Sequence, residues 1–142
     1  MKPVVSIIIV NWNGLDHLPN CLDSITAQTF RDFEVVLVDN GSEDGSLSFV
    51  REHYPWVKVI PLPENTGFAS GNNHGFENSQ GDYIVTLNND TRVEPNWLEI
   101  LVKNRAGNLK PKNSWKCKRH LKANLKKYFL DFIIRKAQPK II

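Results

Sequence analysis

An open, mostly parallel α/β sheet with helices on both faces is the architecture this sequence predicts. Four short apolar runs rich in β-branched residues recur between positions 4 and 87. The segments between them carry apolar residues at helical spacing or open on helix-start signals. The connections are short, which suits parallel strands joined by right-handed crossovers.

Val4-Val5-Ser6-Ile7-Ile8-Ile9-Val10 reads as a strand buried on both faces, hence a parallel one. Asn13-Gly14 breaks it, and Leu15, Leu18, Leu22 and Ile25 then fall on one stripe of a helix. Phe33 to Val38 is the second strand, followed by the turn Asp39-Asn40-Gly41-Ser42. Asp44-Gly45-Ser46 caps a helix expected to run to about His53. Val57 to Ile60 is a third strand, closed by Pro61 and Pro63. Phe68 to Asn78 reads as a helix weakened by two glycines. Tyr83 to Leu87 is a fourth strand, and Pro95 suits the first position of a helix ending near Val102.

The chain has 142 residues, 41% hydrophobic and 23% charged, which is the size and composition of one globular domain. Its longest apolar run is seven residues, far below the roughly 20 of a membrane-spanning helix. The start lacks the small-residue cleavage site of a secretory signal. Two cysteines, Cys21 and Cys117, make neither a disulfide framework nor a metal-ligand spacing, so a reducing, cytoplasmic setting is expected. His17, His53, His74 and His120 show no metal spacing either, and no Ser/His/Asp or Cys/His arrangement stands out.

Charge divides the chain. Residues 1–102 hold 5 basic and 14 acidic residues, net −9, whereas residues 103–142 hold 13 basic and one acidic residue, Asp131, net +12. Residues 1–102 are therefore expected to form the domain and 103–142 a basic tail. Residues 104–118 lack periodicity and read as loop. Leu121, Leu125, Tyr128, Phe129, Phe132 and Ile133 fall on one face of a basic amphipathic helix. Three readings stand for this tail: a frame-shifted or truncated product, a helix lying on the anionic inner face of the cell membrane, or a helix packed on the sheet. Nucleic acid is not expected as a partner, because no recognisable module accompanies the charge.

Ligands of open α/β sheets bind at the carboxyl ends of the strands. Asn11-Trp12-Asn13-Gly14, Asp39-Asn40-Gly41-Ser42, Glu64-Asn65-Thr66-Gly67 and Asn88-Asn89-Asp90-Thr91 follow the four strands in turn. Any one of these is an ordinary turn composition; all four crowd one edge with polar groups. Gly67, Gly71 and Gly75 open the third helix. They either leave backbone N–H groups free for an anion or let the helix pack tightly on the sheet. Asn88-Asn89-Asp90 offers hard oxygen donors at a strand end, suited to Mg2+ or Mn2+ shared with a diphosphate. The alternative for Asp90 is a capping residue in a turn.

The four blocks 5–14, 36–46, 65–75 and 81–91, in that order, resemble the family 2 glycosyltransferases, inverting enzymes of GT-A fold, and within them the rhamnosyltransferase-like branch. The resemblance covers about residues 3–102. It implies a site for a dTDP- or UDP-linked sugar. Asn11, Trp12 and Asn13 would line the nucleobase pocket through the backbone. Asp39 would accept a hydrogen bond from the base or ribose. Asn65, Gly67 and Asn73 would close the pocket beside the diphosphate, with Asn89 near it. Asp90 matches the last position of the family's Asp-X-Asp metal motif, with neutral Asn88 at the first. The implied activity is inverting sugar transfer to a glycan or lipid-linked acceptor in cell-surface polysaccharide assembly. No residue here matches the family's general base. A donor-binding fragment without turnover, or a membrane-surface module acting through the tail, are the alternatives.

Overall fold

A computed structural model of the chain describes residues 1–106 and 133–135. The elements run β1 (Val5–Asn11), α1 (Leu18–Thr26), β2 (Phe33–Asn40), α2 (Ser46–His53), β3 (Lys58–Leu62), α3 (Phe68–Glu77), β4 (Tyr83–Asn88), α4 (Trp97–Ala106) and β5 (Ile133–Arg135). The sheet order is β3-β2-β1-β4-β5. The first four strands are mutually parallel, and β5 pairs antiparallel with Tyr83–Val85 of β4. The open, mostly parallel sheet is therefore as the sequence predicts.

Strand addition runs outward from β1 through β2 to β3, then jumps back to place β4 on the other side of β1. Right-handed crossovers put helices on the opposite face when that direction reverses. The packing follows. Leu18, Leu22 and Ile25 of α1, Val50 of α2 and Leu98 of α4 share one core with Ile7, Ile9, Val35 and Leu37. On the other face α3 lies so close that a Cβ on Gly75 would fall 2.3 Å from Ile8 Cγ2, and one on Gly71 would fall 2.7 Å from Val10 Cγ1. The tight-packing reading of those two glycines is thus the correct one. Replacing Gly75 by alanine is expected to lower stability by about 1–3 kcal/mol, the usual range for an overpacked core. An unchanged urea midpoint would contradict this close approach.

Several boundaries move. Asn11, Asp39 and Asn40 are the last residues of their strands rather than turn residues, so their side chains sit in the register of the sheet. Helix α1 begins at Leu18, not Leu15; the Leu15 N–H donates to Asp44 Oδ2 (2.9 Å). Pro61 does not end β3; it lies within it, tolerated because β3 pairs only with β2 among the described residues. Pro95 precedes α4, its carbonyl accepting from Thr29 N (2.8 Å). Helix α4 runs past 102, and residues 104–106, expected as loop, are helical. Ile133 stands in β5 rather than on a helix; the remainder of the expected tail helix lies outside the described residues. Among the described residues no helix is long and apolar enough to cross a membrane.

Ser6 is the one polar residue in the apolar run of β1, and it is fully buried. Its hydroxyl donates to Glu34 Oε1 (2.5 Å) and accepts from Gly81 N (2.8 Å), which removes the penalty for burying it.

Candidate functional site

The strand order reverses between β1 and β4, and it is outside the carboxyl ends of the strands at such a point that doubly wound sheets bind ligands. Parallel register sets Asn11 opposite Asp39, and Val10 opposite Asn88. Asn11 is fully buried and bridges three segments. Its Nδ2 donates to Asp39 Oδ1 and to Ser42 Oγ, both at 3.2 Å, and its Oδ1 accepts from Asn89 Nδ2 (2.8 Å). One amide thereby ties the loop after β2 to the loop after β4. Gly14 is required beneath this bridge: a Cβ there would fall 2.2 Å from Asn89 Nδ2 and 2.4 Å from Asn11 Oδ1.

Asp39 is 2% exposed, and both its oxygens are engaged, Oδ1 by Asn11 and Oδ2 by Ser42 N (3.2 Å). Its carboxylate braces the loop first; any contact to a ligand uses the remaining lone pairs. Asn13 takes a left-handed backbone (φ 48°), donates its N–H to Ser42 Oγ (2.9 Å) and accepts from Glu43 N at Oδ1 (2.8 Å). Trp12 between them is 56% exposed, its indole standing in solvent. Asp44 accepts from the Ser46 N–H and hydroxyl and from Leu15 N. Burial works to raise its pKa, but these hydrogen bonds outweigh it and hold the carboxyl below the usual value. The tie between the β1 and β2 loops is therefore present at neutral pH and lost in acid, as pH falls through that lowered value.

On the opposite face Asn40 organises the loop before α3. Its Nδ2 donates to Asn65 Oδ1 (2.9 Å) and to the Gly67 carbonyl (3.2 Å), and its Oδ1 accepts from Thr66 N and Oγ1. Gly67 takes φ +88°, with nothing within 4 Å of a Cβ position, so its glycine is a conformational requirement and not a packing one. The structure thus gathers Asn11, Trp12, Asn13, Asp39 and Asn89, and attaches Asn65 and Gly67 through Asn40. It does not gather Asn73, which is exposed about half a helical turn from Gly71 and so faces away from the sheet. The bridging roles of Asn40 and Ser42 were hidden inside a turn composition. The signal for Asn40 was its place at the end of the unbroken strand pattern Phe33–Asn40.

At the end of β4, Asn88 is half-buried and Asp90 exposed. Neither side chain has a hydrogen bond or ion pair with the described residues, whereas Asn89 between them is held by Asn11. Two hard oxygen donors with free lone pairs fit a divalent cation. No group of three or more His, Cys, Asp or Glu residues among those described forms a self-sufficient metal cage. Such a cation would take its other ligands from water or a bound molecule. Beneath the loop, Cys21 Sγ donates to the Asn88 carbonyl (3.7 Å). Burial, with the charge of Asp90 second, pushes this thiol up to about 12. Alkylation at pH 8 is expected to spare Cys21 in the folded chain and modify it only in denaturant; rapid native labelling of its peptide would contradict that burial.

A family model described as Glycosyl transferase family 2 matches residues 6–107. Glycosyltransferase AglE of Haloferax volcanii is 33% identical over 102 residues, covering 68% of this chain and 34% of that protein. Staphylococcus aureus TarS residues 1–349, solved in complex with UDP-GlcNAc, superimposes with TM-score 0.64 at 27% identity, over 75% of this chain and 30% of that one. The mannosyltransferase PcManGT of Pyrobaculum calidifontis, solved with GDP-Man and Mn2+, gives TM-score 0.57 at 28% identity, over 65% of this chain and 29% of that one. The chain therefore spans about a third of the length of these relatives. By that family match over residues 6–107, this chain belongs to glycosyl transferase family 2.

Proposed function

We propose that this strand-end site binds a nucleoside-diphosphate sugar together with a divalent cation, Mg2+ or Mn2+, for inverting transfer of the sugar to a glycan or lipid-linked acceptor in cell-surface polysaccharide assembly. The observation that carries this is the pair of unengaged donors, Asn88 and Asp90, beside the loop network already built by Asn11, Asp39, Ser42 and Asn89. The complexes of the related folds with UDP-GlcNAc and with GDP-Man and Mn2+ support the ligand class. A neutral Asn88 in place of a first acid supports the rhamnosyltransferase-like branch and a dTDP- or UDP-linked donor.

In this reading Asn11 and Asp39 hold the β1 and β2 loops at a fixed separation, so the pocket for the base is formed before the ligand arrives. Trp12 offers an exposed aromatic face to it. Asn40 presents Asn65, Gly67 and the start of α3 towards the diphosphate. Asn88 and Asp90 hold the cation, which supplies positive charge against the charge developing on the departing diphosphate. A donor-binding module without turnover is the second reading. It is favoured by the lack of any residue in this sequence that matches the family's general base for the acceptor hydroxyl. Peripheral membrane contact through the basic tail belongs to this proposal as well, and rests on the charge of residues 103–142 alone.

Thermal melting of the 142-residue chain against UDP, dTDP, GDP and ADP, each with and without Mn2+, tests the reading. One nucleotide is expected to raise the melting temperature in a Mn2+-dependent way. A ligand at 100 times its Kd adds about 2.7 kcal/mol. A cooperative melt that no nucleotide shifts would refute it. Transfer assayed with mixed acceptors then separates the enzyme from the binding module.

A further inference from the structure

The loop from Asn89 to Asn96 carries Asp90 between β4 and α4; the Asp90 side chain has no hydrogen bond among the described residues, and Thr91 N closes a turn around it on the Asn88 carbonyl (3.1 Å). The rest of the loop is held from behind, at the end of α1. Gln28 is fully buried, just beyond the last turn of that helix. Its Nε2 donates to the Glu94 carbonyl (2.7 Å) and to the Ser24 carbonyl (3.1 Å), and its Oε1 accepts from Leu98 N (2.9 Å). Ser24, also buried, accepts from Val93 N at its hydroxyl (3.1 Å). Thr29 N adds a bond to the Pro95 carbonyl (2.8 Å). Val93, Glu94, Pro95 and Leu98 are thus fastened one after another to residues 24–29, while Asn89 is fastened in front to Asn11 (2.8 Å). Asp90 lies on a short span pinned at both ends.

A buried amide is costly unless its bonds are made, and a hydrophobic side chain of similar length would fill the same volume. Gln28 instead directs one N–H at the Glu94 carbonyl in the loop and its oxygen at Leu98 N in the first turn of α4. Holding a ligand in place beforehand removes the entropy cost of ordering it when the ion binds. We infer that Gln28, assisted by Ser24, is a positioning residue for the cation site, fixing the Asp90 loop from behind. This rests on the proposed binding of a cation by Asn88 and Asp90.

The test uses the full chain with an excess of mixed UDP, dTDP and GDP. Mn2+ affinity is read from the water-proton relaxation enhancement of the slowly tumbling, protein-bound ion. Nucleotide affinity without metal is read by equilibrium dialysis in EDTA. Gln28→Met is expected to weaken Mn2+ binding about tenfold, the lower end of the range for residues supporting metal ligands. Metal-free nucleotide affinity is expected to stay within about twofold, and Thr26→Ala, which removes only a bond to the Leu22 carbonyl, to match the parent in both. A folded Gln28→Met chain with parental Mn2+ affinity would overturn the inference, as would equal losses with and without metal. If that variant does not fold, Ser24→Ala gives the same reading: a selective loss of Mn2+ affinity supports the inference, and parental affinity overturns it. A parent chain that shows no enhancement removes the cation site itself, and the inference with it.

Discussion

Asp90→Ala is expected to abolish the Mn2+-dependent part of nucleotide binding while leaving the fold intact. The side chain is exposed and makes no hydrogen bond among the described residues, so its removal should alter stability by no more than about 0.5 kcal/mol. For the cation the loss is large. Of the two proposed donors only Asp90 is charged, and no cluster of three or more His, Cys, Asp or Glu stands among the described residues to replace it. Mn2+ affinity is expected to fall more than about 100-fold, beyond the range seen when mere supporting residues are replaced. Asp90→Asn keeps an oxygen donor and should fall between the two. The check is the melting shift with nucleotide, with and without Mn2+. A full Mn2+-dependent shift in Asp90→Ala would move the cation elsewhere.

Asn11→Asp is expected to be the most damaging single change at the site, although it alters one atom's chemistry and almost no volume. It replaces the Nδ2 donor, 3.2 Å from Asp39 Oδ1, by an oxygen. Two carboxylates would then face each other at positions that are at most 2% exposed. They cannot both ionise there, so the pair retains a proton and its folded pKa rises above the unfolded one. The folded variant then binds more protons than the unfolded chain at neutral pH. Its stability is accordingly greatest in acid and falls as pH rises through the raised value. A loss of about 3 kcal/mol or more at pH 7.5 is expected, narrowing towards pH 5. Asn11→Ala introduces no second carboxylate but leaves Asp39, Ser42 and Asn89 short of a partner, which costs about 1–3 kcal/mol with a weaker pH dependence of the same sign. Denaturant melts across pH on both variants check this. A pH-independent loss in Asn11→Asp would mean the carboxylates do not meet.

The strands were legible because a parallel sheet buried on both faces calls for near-continuous apolar runs, and Val5–Val10, broken only by Ser6, and Val35–Val38 are such runs. Their exact ends were not. Asn11, Asp39 and Asn40 have turn-like composition, and only pairing shows that the ladder continues through them. The start of α1 lies three residues later than the apolar stripe suggests: Leu15 fits the stripe but precedes the helix, its N–H tied to a carboxylate 29 positions away. Asn73 shows the converse. It stands in the right stretch of sequence, but the contacts of Gly71 and Gly75 with the sheet turn it outward.

The family was a resemblance carried by four ordered blocks; what the sequence by itself determined was the alternation of strand and helix, the crowding of polar residues after the strands and the Asn88-Asn89-Asp90 candidate for a cation. These are local facts, set by periodicity and by residue types along the chain. Tertiary structure alone decided which of those residues meet. Strand order places β1 between β2 and β4, and that adjacency makes Asn11 the bridge between Asp39 and Asn89. It likewise brings the end of α1 behind the Asp90 loop, where Gln28 finds partners 66 and 70 positions away. Hydrogen bonds at such separations leave no periodic trace, because the fold, not the chain, brings their ends together.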